Sequence, residues 1–283
     1  MILGLLFASI AGAAIHGNTV YTWGDQLLQW KLPKLTSHSL VVLGKPASAG
    51  CLDDHGTGVF LQEGDRLVYR NAPNWEPREI DHGIDMHDCL AATLLGHRGV
   101  LVVHRGMQLR FYEFPDFHYK EIYSFYSRSR QGGLLITDVD GDGYPDIICG
   151  NYWIQSPTDF GLPWHDFAIE LYNGQPLAAT LRLALAAGDL IVAQGELPNG
   201  RVARLHKPHD PKQLWTEELL GEFHYPRAFT ASLIGEDNGP KSRLVLDGKP
   251  AGETGGIHTA FPYHEGFVLV GRDRVFYWSP TSR

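Results

Sequence analysis

A short apolar run bounded by glycine or aspartate returns seven times along this chain, and that recurrence restricts the possible folds more than any other feature. The copies are Asn18–Gly24, Gly58–Gly64, Gly99–Gly106, Asp146–Gly150, Asp189–Gly195, Arg243–Gly248 and Gly266–Gly271. Over 283 residues that is a period of about 40. Such runs are too short for core helices, and their β-branched content reads as strand. A fixed period of this length signals a ring of small sheets rather than a sandwich. We therefore expect an all-β chain folded as a seven-bladed β-propeller, with six blades as the alternative. Each run would be the second strand of its blade. No linker or low-complexity stretch divides residues 1–283, so one domain is expected.

Alternating segments after five of the runs supply third strands with one apolar and one wet face: Gln26–Leu32, Arg66–Arg70, Gln108–Phe114, Arg201–Leu205 and Arg274–Trp278. Fourth strands are expected at Arg78–Ile80, Lys120–Tyr123, Phe167–Leu171 and Trp215–Leu219. The spacing fails between the sixth and seventh runs, where one blade must be trimmed to two or three strands. The last copy also lacks a fourth strand, which the N-terminal residues could supply to close the ring. Closure removes the exposed sheet edges that invite aggregation. Met1–Ile15 itself reads as the innermost strand of the first blade, with a signal peptide as the alternative. It has the small residues Ala11-Gly12-Ala13 after an apolar core but no basic n-region.

Composition narrows the function classes. With 32 Gly, 17 Pro and 11% aromatics the chain suits many turns and short strands. Its net charge of −8, without a basic cluster, argues against nucleic acid as the partner. No apolar stretch makes a comfortable membrane span. Cys51, Cys89 and Cys149 are odd in number and far apart, which argues against a disulfide framework or a thiolate zinc site. Each is expected to fill a small apolar strand position, and a reducing, cytoplasmic setting is favoured.

One loop carries a metal signal. Asp138, Asp140, Asp142 and Asp146 stand at positions 1, 3, 5 and 9 of TDVDGDGYPDIICGN, interleaved with Gly141 and Gly143. Alternate carboxylates on a tightly turned loop give Ca²⁺ the oxygens it needs, and the Tyr144 carbonyl could add one. An EF-hand would need Glu at position 12 and flanking helices; position 12 is Cys149 and the flanks read as strand. Four carboxylates this close repel one another unless a cation offsets them. The pattern Asp138-x-Asp140-x-Asp142-Gly143-x-x-Asp146, the apolar run and Gly150-Asn151 resemble the FG-GAP/VCBS repeat of integrin-α-like propellers. Tyr152-Trp153, Pro157 and Trp164-His165-x-Phe167-x-Ile169 continue the likeness over about 45 residues. The resemblance implies a calcium-loop blade here and a propeller fold throughout. Asp53–Gly56 and Glu236–Gly239 are eroded versions at best.

In a propeller the first strand of each blade lines the central channel, so residues near those strands meet from far apart. Reading backwards from the second strands gives Asp85, His87 and Asp88; Arg128, Arg130 and Gln131; Asn173 and Gln175; Arg182; His224, Tyr225 and Arg227; and His258. Three histidines from three blades could hold a transition metal or serve as acid and base groups. With 14 histidines in the chain, hydrogen bonding between neighbouring blades is the stronger reading. Arg128, Arg130, Arg182 and Arg227 could form a cationic mouth for a carboxylate or phosphate, or pair between blades. His104-Arg105 and His206–Asp210 read as solvated turns. The seven tryptophans read as packing between blades, apart from Trp153, which could stack a sugar. No phosphate-cradling loop, GxSxG elbow or HExxH is present. Two functions remain open. One is an enzyme of lyase or dehydratase type acting on a saccharide or sugar acid, with His87, His224, His258 and Arg227 as its groups. The other is a non-catalytic propeller binding a glycan or a protein, with a structural Ca²⁺.

Overall fold

The protein, seen in a computed structural model that describes residues 9–127, 130–171 and 181–280, is a ring of seven antiparallel sheets. Blade 1 comprises β1 (Ile10–His16), β2 (Thr19–Gly24), β3 (Gln26–Lys31) and β4 (Thr36–Val42). Blade 2 comprises β5 (Ala47–Leu52), β6 (Gly58–Glu63), β7 (Arg66–Asn71) and β8 (Arg78–His82). β9 (Met86–Leu94), β10 (His97–His104), β11 (Met107–Glu113) and β12 (Tyr119–Phe125) form blade 3. β13 (Leu134–Thr137), β14 (Asp146–Cys149), β15 (Tyr152–Gln155) and β16 (His165–Ala168) form blade 4. Blade 5 follows with β17 (Leu181–Ala186), β18 (Asp189–Gln194), β19 (Gly200–His206) and β20 (Thr216–Phe223). Blade 6 is built from β21 (Pro226–Phe229), β22 (Leu233–Asn238), β23 (Lys241–Leu246) and β24 (Lys249–Gly255). Blade 7 has β25 (Ile257–Tyr263), β26 (Gly266–Gly271) and β27 (Val275–Trp278).

Each blade is a meander in sequence order, so the first strand is innermost and the last is at the rim. The second strands explain their own apolar runs. β6, β14 and β26 are buried at every residue. A strand covered on both faces has no wet side and so shows no alternation. The covering comes from the neighbouring blades, because the core is divided among the seven joints between sheets. Phe60 and Leu67 of blade 2 pack with Val100, Val102 and Tyr112 of blade 3. Leu101, Leu109 and Phe111 face Ile147 and Ile154 of blade 4. Ile148 and Trp153 meet Leu190, Val192 and Ala203 of blade 5.

Six of the seven expected second strands occupy that position, and the sixth does not. Arg243–Leu246 lies in the third strand, β23, and the second strand is Leu233–Asn238. Blade 6 is therefore a complete four-stranded sheet and nothing is trimmed before blade 7. The sequence disguises β22 because Gly235, Glu236 and Asp237 interrupt its apolar run, although Glu236 and Asp237 are buried. Blade 7 has three strands among the described residues. Ile10–His16 is the innermost strand of blade 1, as expected of the N-terminal segment, and Met1–Ala8 lie outside the described residues.

The cysteine expectation is overturned. Cys51 of β5 and Cys89 of β9 form a disulfide between the innermost strands of blades 2 and 3, with Cα atoms 5.7 Å apart. Local spacing could not reveal it, because the partners are 38 residues apart, close to one blade period. That separation puts two residues at the same phase of adjacent sheets. Cys149 is a buried free thiol, as expected of a small strand residue.

Candidate functional site

The seven innermost strands enclose one central channel of about 920 Å³. Because strands alternate in direction, the starts of first strands and the turns after second strands lie at one mouth. The turns between first and second strands lie at the other. Small residues keep the bore open, among them Ala13, Ala14, Ala49, Gly50, Ala91 and Ala260.

The first mouth carries His87, Arg182, Arg227 and His258 near strand starts, with Glu196, Asp237 and Arg272 from the turns after second strands. Arg227 is clamped, its Nη2 3.0 Å from Glu196 Oε2 and its Nη1 3.3 Å from Asp237 Oδ2. Its guanidinium lies 5.0 Å from the Tyr225 ring centroid, within cation–π range. Arg272 stands 4.0 Å from the same Asp237 oxygen. Arg182 makes no hydrogen bond or ion pair among the described residues.

The two channel histidines are neutral at pH 7. Burial holds the pKa of His87 below the usual imidazole value, with the Gln131 carbonyl opposing it. Burial does the same to His258, helped by the positive charges of Arg182 and Arg227. His87 Nε2 lies 2.5 Å from the Gln131 carbonyl, which can only accept, so this nitrogen carries the proton. Its Nδ1 is a buried acceptor without a partner. His258 Nε2 donates to the Gly271 carbonyl at 3.1 Å, and its Nδ1 accepts from Thr259 Oγ1 at 3.1 Å. Both imidazoles are therefore committed to holding the wall.

His224 is not on the channel wall. It is exposed, its Nδ1 bonds the Pro198 carbonyl at 2.8 Å, and its ring meets Tyr225 edge-on. Among the described residues, the one set of three or more His, Cys, Asp or Glu ligand atoms within 4.8 Å of one another is Asp138, Asp140 and Asp146. His87, His224 and His258 form no such set.

The remaining sequence candidates divide in the same way. Asp88 reaches the wall, but its carboxylate accepts the N–H groups of Gly133 at 2.6 Å and Leu134 at 3.2 Å, tying blade 3 to blade 4. Gln131 is buried in that joint. Arg130 pairs with Asp85 at 3.3 Å and is absent from the wall. Arg128, Asn173 and Gln175 lie outside the described residues. Trp153 is fully buried against Phe167, so it is no sugar platform. His104, expected in a solvated turn, is buried at the end of β10, with burial lowering its pKa to about 4. Sequence reasoning missed Glu196, Asp237 and Arg272. They stand just beyond the ends of second strands or near their last residues; reading forwards from the runs would have reached Glu196 and Arg272, whereas Asp237 was hidden by the misplaced run of blade 6.

The aspartate loop joins β13 to β14, on the side of the ring opposite the arginines. Gly141 and Gly143 have φ of +79° and +88°, which lets the chain curl back on itself. Asp138 Oδ1 accepts Gly141 N–H at 2.7 Å and Asp142 N–H at 3.1 Å, while its Oδ2 accepts Gly143 N–H at 3.0 Å. Asp146 is fully buried and anchored by the N–H groups of Val139 (2.9 Å) and Ser156 (2.8 Å). Burial nonetheless raises its pKa, and nearby Asp140 adds to the rise. No Lys or Arg pairs with any of these aspartates among the described residues. Asp142 stands outside the three-carboxylate set, its Oδ1 accepting Tyr144 N–H at 2.9 Å. The donors fit a hard cation: three convergent carboxylates, one of them buried without a compensating charge.

No family model matches the chain, and no curated protein matches it. Solved structures do. The β-propeller domain of Cps50 (Swd1) from Myceliophteria thermophila superposes with a TM-score of 0.67 at 13% identity, covering 96% of each chain. Sqt1 of Saccharomyces cerevisiae superposes with a TM-score of 0.59 at 10% identity, over 98% of this chain and 84% of that one. The extracellular domain of a B. thetaiotaomicron protein assigned to the hybrid two-component systems superposes with a TM-score of 0.63 at 12% identity. The match covers 97% of this chain and 38% of that one, so this chain spans well under half of that domain's length. At these identities the likeness establishes the fold alone: the chain is a seven-bladed β-propeller.

Proposed function

We propose that this chain is a binding propeller, which takes a small polar ligand into its central channel and holds one Ca²⁺ in the blade 4 loop. The channel volume carries the reading. At about 920 Å³ it matches the clefts that take up small molecules, and charged groups from several blades converge on one mouth. The wall histidines support binding rather than acid–base chemistry. An imidazole acting as general base needs a free nitrogen within reach of the ligand. Both His258 nitrogens are hydrogen-bonded, and His87 Nδ1 is sealed from solvent. A saccharide suits such a polar bore. Calorimetric titration with galactose tests this, using the parent and Ala91→Trp, which narrows the bore. We expect binding to the parent and its loss in the variant. Equal binding by both, or none by the parent, removes the reading.

Calcium is a structural ligand in this proposal, supplying the positive charge that Asp138, Asp140 and Asp146 lack. An ion bound to the folded state stabilises it by about 2.7 kcal/mol at a hundredfold excess over Kd. Elemental analysis should find one calcium per chain. Added Ca²⁺ should raise the unfolding midpoint of chelator-stripped protein, and much less that of Asp140→Ala. Equal midpoints for stripped and reloaded parent would show that the loop is only a turn.

A further inference from the structure

Most arginines among the described residues are engaged; Arg105, Arg182 and Arg204 are the exceptions. Arg70 forks onto Glu63 (2.7 and 3.2 Å), Arg110 meets Asp81 at 2.9 Å, and Arg227 lies between Glu196 and Asp237. Arg182 differs. It is the second residue of β17, exposed on the channel wall, and no carboxylate or hydrogen-bond acceptor satisfies it among the described residues. Its stem lies across Gly195, where a Cβ would stand 3.4 Å from Arg182 Cγ and 3.7 Å from its Nε. The Pro226 carbonyl is 3.4 Å from that same point, so Arg182 sits beside the start of β21 and the clamped Arg227. The absence of a side chain at residue 195 leaves the flank of the guanidinium open.

We infer that Arg182 is the anchor of an anion subsite in the channel, and that the group it takes is a monovalent carboxylate borne by the ligand. This rests on the channel being a ligand site, as proposed above. A guanidinium presents two parallel N–H donors, matched in spacing to a carboxylate, and charge-assisted pairs of this form are the strong ones. Glu196 and Asp237 are already engaged with Arg227 and face Arg272, and among the described residues no carboxylate pairs with Arg182. That favours a monoanion over a phosphate dianion. His258, neutral beside the arginines, adds no second charge.

The test compares lactate with its neutral isostere lactamide and with inorganic phosphate, following Arg Nε and channel-wall resonances by NMR. In the parent, lactate should bind about tenfold tighter than lactamide, saturably, with phosphate no tighter than lactate. Arg182→Gln should remove the preference. Gly195→Asp provides a second route, because its Cβ meets only ordinary contacts and its carboxylate would neutralise Arg182 from within. Lactate affinity should fall to the lactamide level there, with the unfolding midpoint unchanged or raised. If lactate and lactamide bind equally, if Arg182→Gln keeps the preference, or if phosphate displaces lactate, the inference is overturned while the channel remains a ligand site. If no probe moves a wall resonance and galactose also fails to bind, both readings fall together.

Discussion

Breaking the Cys51–Cys89 cross-link should cost this ring a large part of its stability. The bond closes a loop of 38 residues that contains the rest of blade 2. In the chain-entropy treatment, a loop of that size removes about 4 kcal/mol of freedom from the unfolded state. A folded domain has about 5–15 kcal/mol in total. Both sulfurs are buried, so changing the cysteines to alanine would add a packing loss. The cleaner perturbation is reduction in denaturant followed by refolding under reductant. Urea titration, followed by tryptophan fluorescence, then compares oxidised and reduced chains. With an m-value of about 3 kcal/mol/M, the midpoint should fall by about 1.3 M. Thiol labelling of the denatured, unreduced protein should count one cysteine, Cys149. A count of three, or midpoints that coincide to within about 0.3 M, would refute the reasoning.

Two further outcomes follow from the joints between blades, besides those already given for calcium and for Arg182. His104 has its pKa lowered to about 4 by burial, so the unfolded chain binds its proton first. Its contribution is therefore complete above the ordinary imidazole value of about 6.5 and is lost as pH falls towards 4, up to about 3 kcal/mol. His87 and His258, also lowered, act in the same sense. Urea midpoints measured from pH 7 to 4 should fall less steeply for His104→Gln, and identical slopes would contradict the assignment. Gly133→Ala should destabilise by about 1–3 kcal/mol, because φ is +70° and the new Cβ would stand 2.6 Å from Leu183 Cγ. Gly188→Ala, at φ +92° but in open space, should cost less, and the reverse order would count against the packing argument.

The fold was legible because a twice-covered strand has one sequence solution, an unbroken apolar run, and six of seven blades use it. Blade 6 was misplaced where burial and hydropathy part company. Glu236 is buried yet charged, and hydrogen bonds and an ion pair with Arg243 satisfy it. A spacing of seven between Glu63 and Arg70, repeated by Glu236 and Arg243, was the available sign of the second-to-third strand step. Channel residues were legible as positions and not as directions. Strand starts led to His87, Arg182, Arg227 and His258, all on the wall. Whether an imidazole presents a nitrogen to the bore or to a neighbouring carbonyl depends on backbone several residues away, and periodicity does not encode it. The same blindness hid the disulfide, which depends on two sheets lying side by side.

Six of the seven joints in the ring are crossed by the polypeptide itself, as each outer strand leads into the next inner one. Among the described residues, the joint between blades 7 and 1 is not. It is held by the hydrogen bond from Ile10 N–H to the Arg272 carbonyl at 2.8 Å, by Tyr263 to Asn18 at 3.0 Å, and by a small apolar cluster around Val20, Val268 and Val270. Mechanically the described part of the ring is a split washer rather than a hoop. Thermal breathing that six hinges absorb by flexing must be taken up at the seventh by parting. Amide exchange should accordingly quicken first along β1 and β26, and a tether pulling on blade 1 or blade 7 should widen the bore before any sheet unravels.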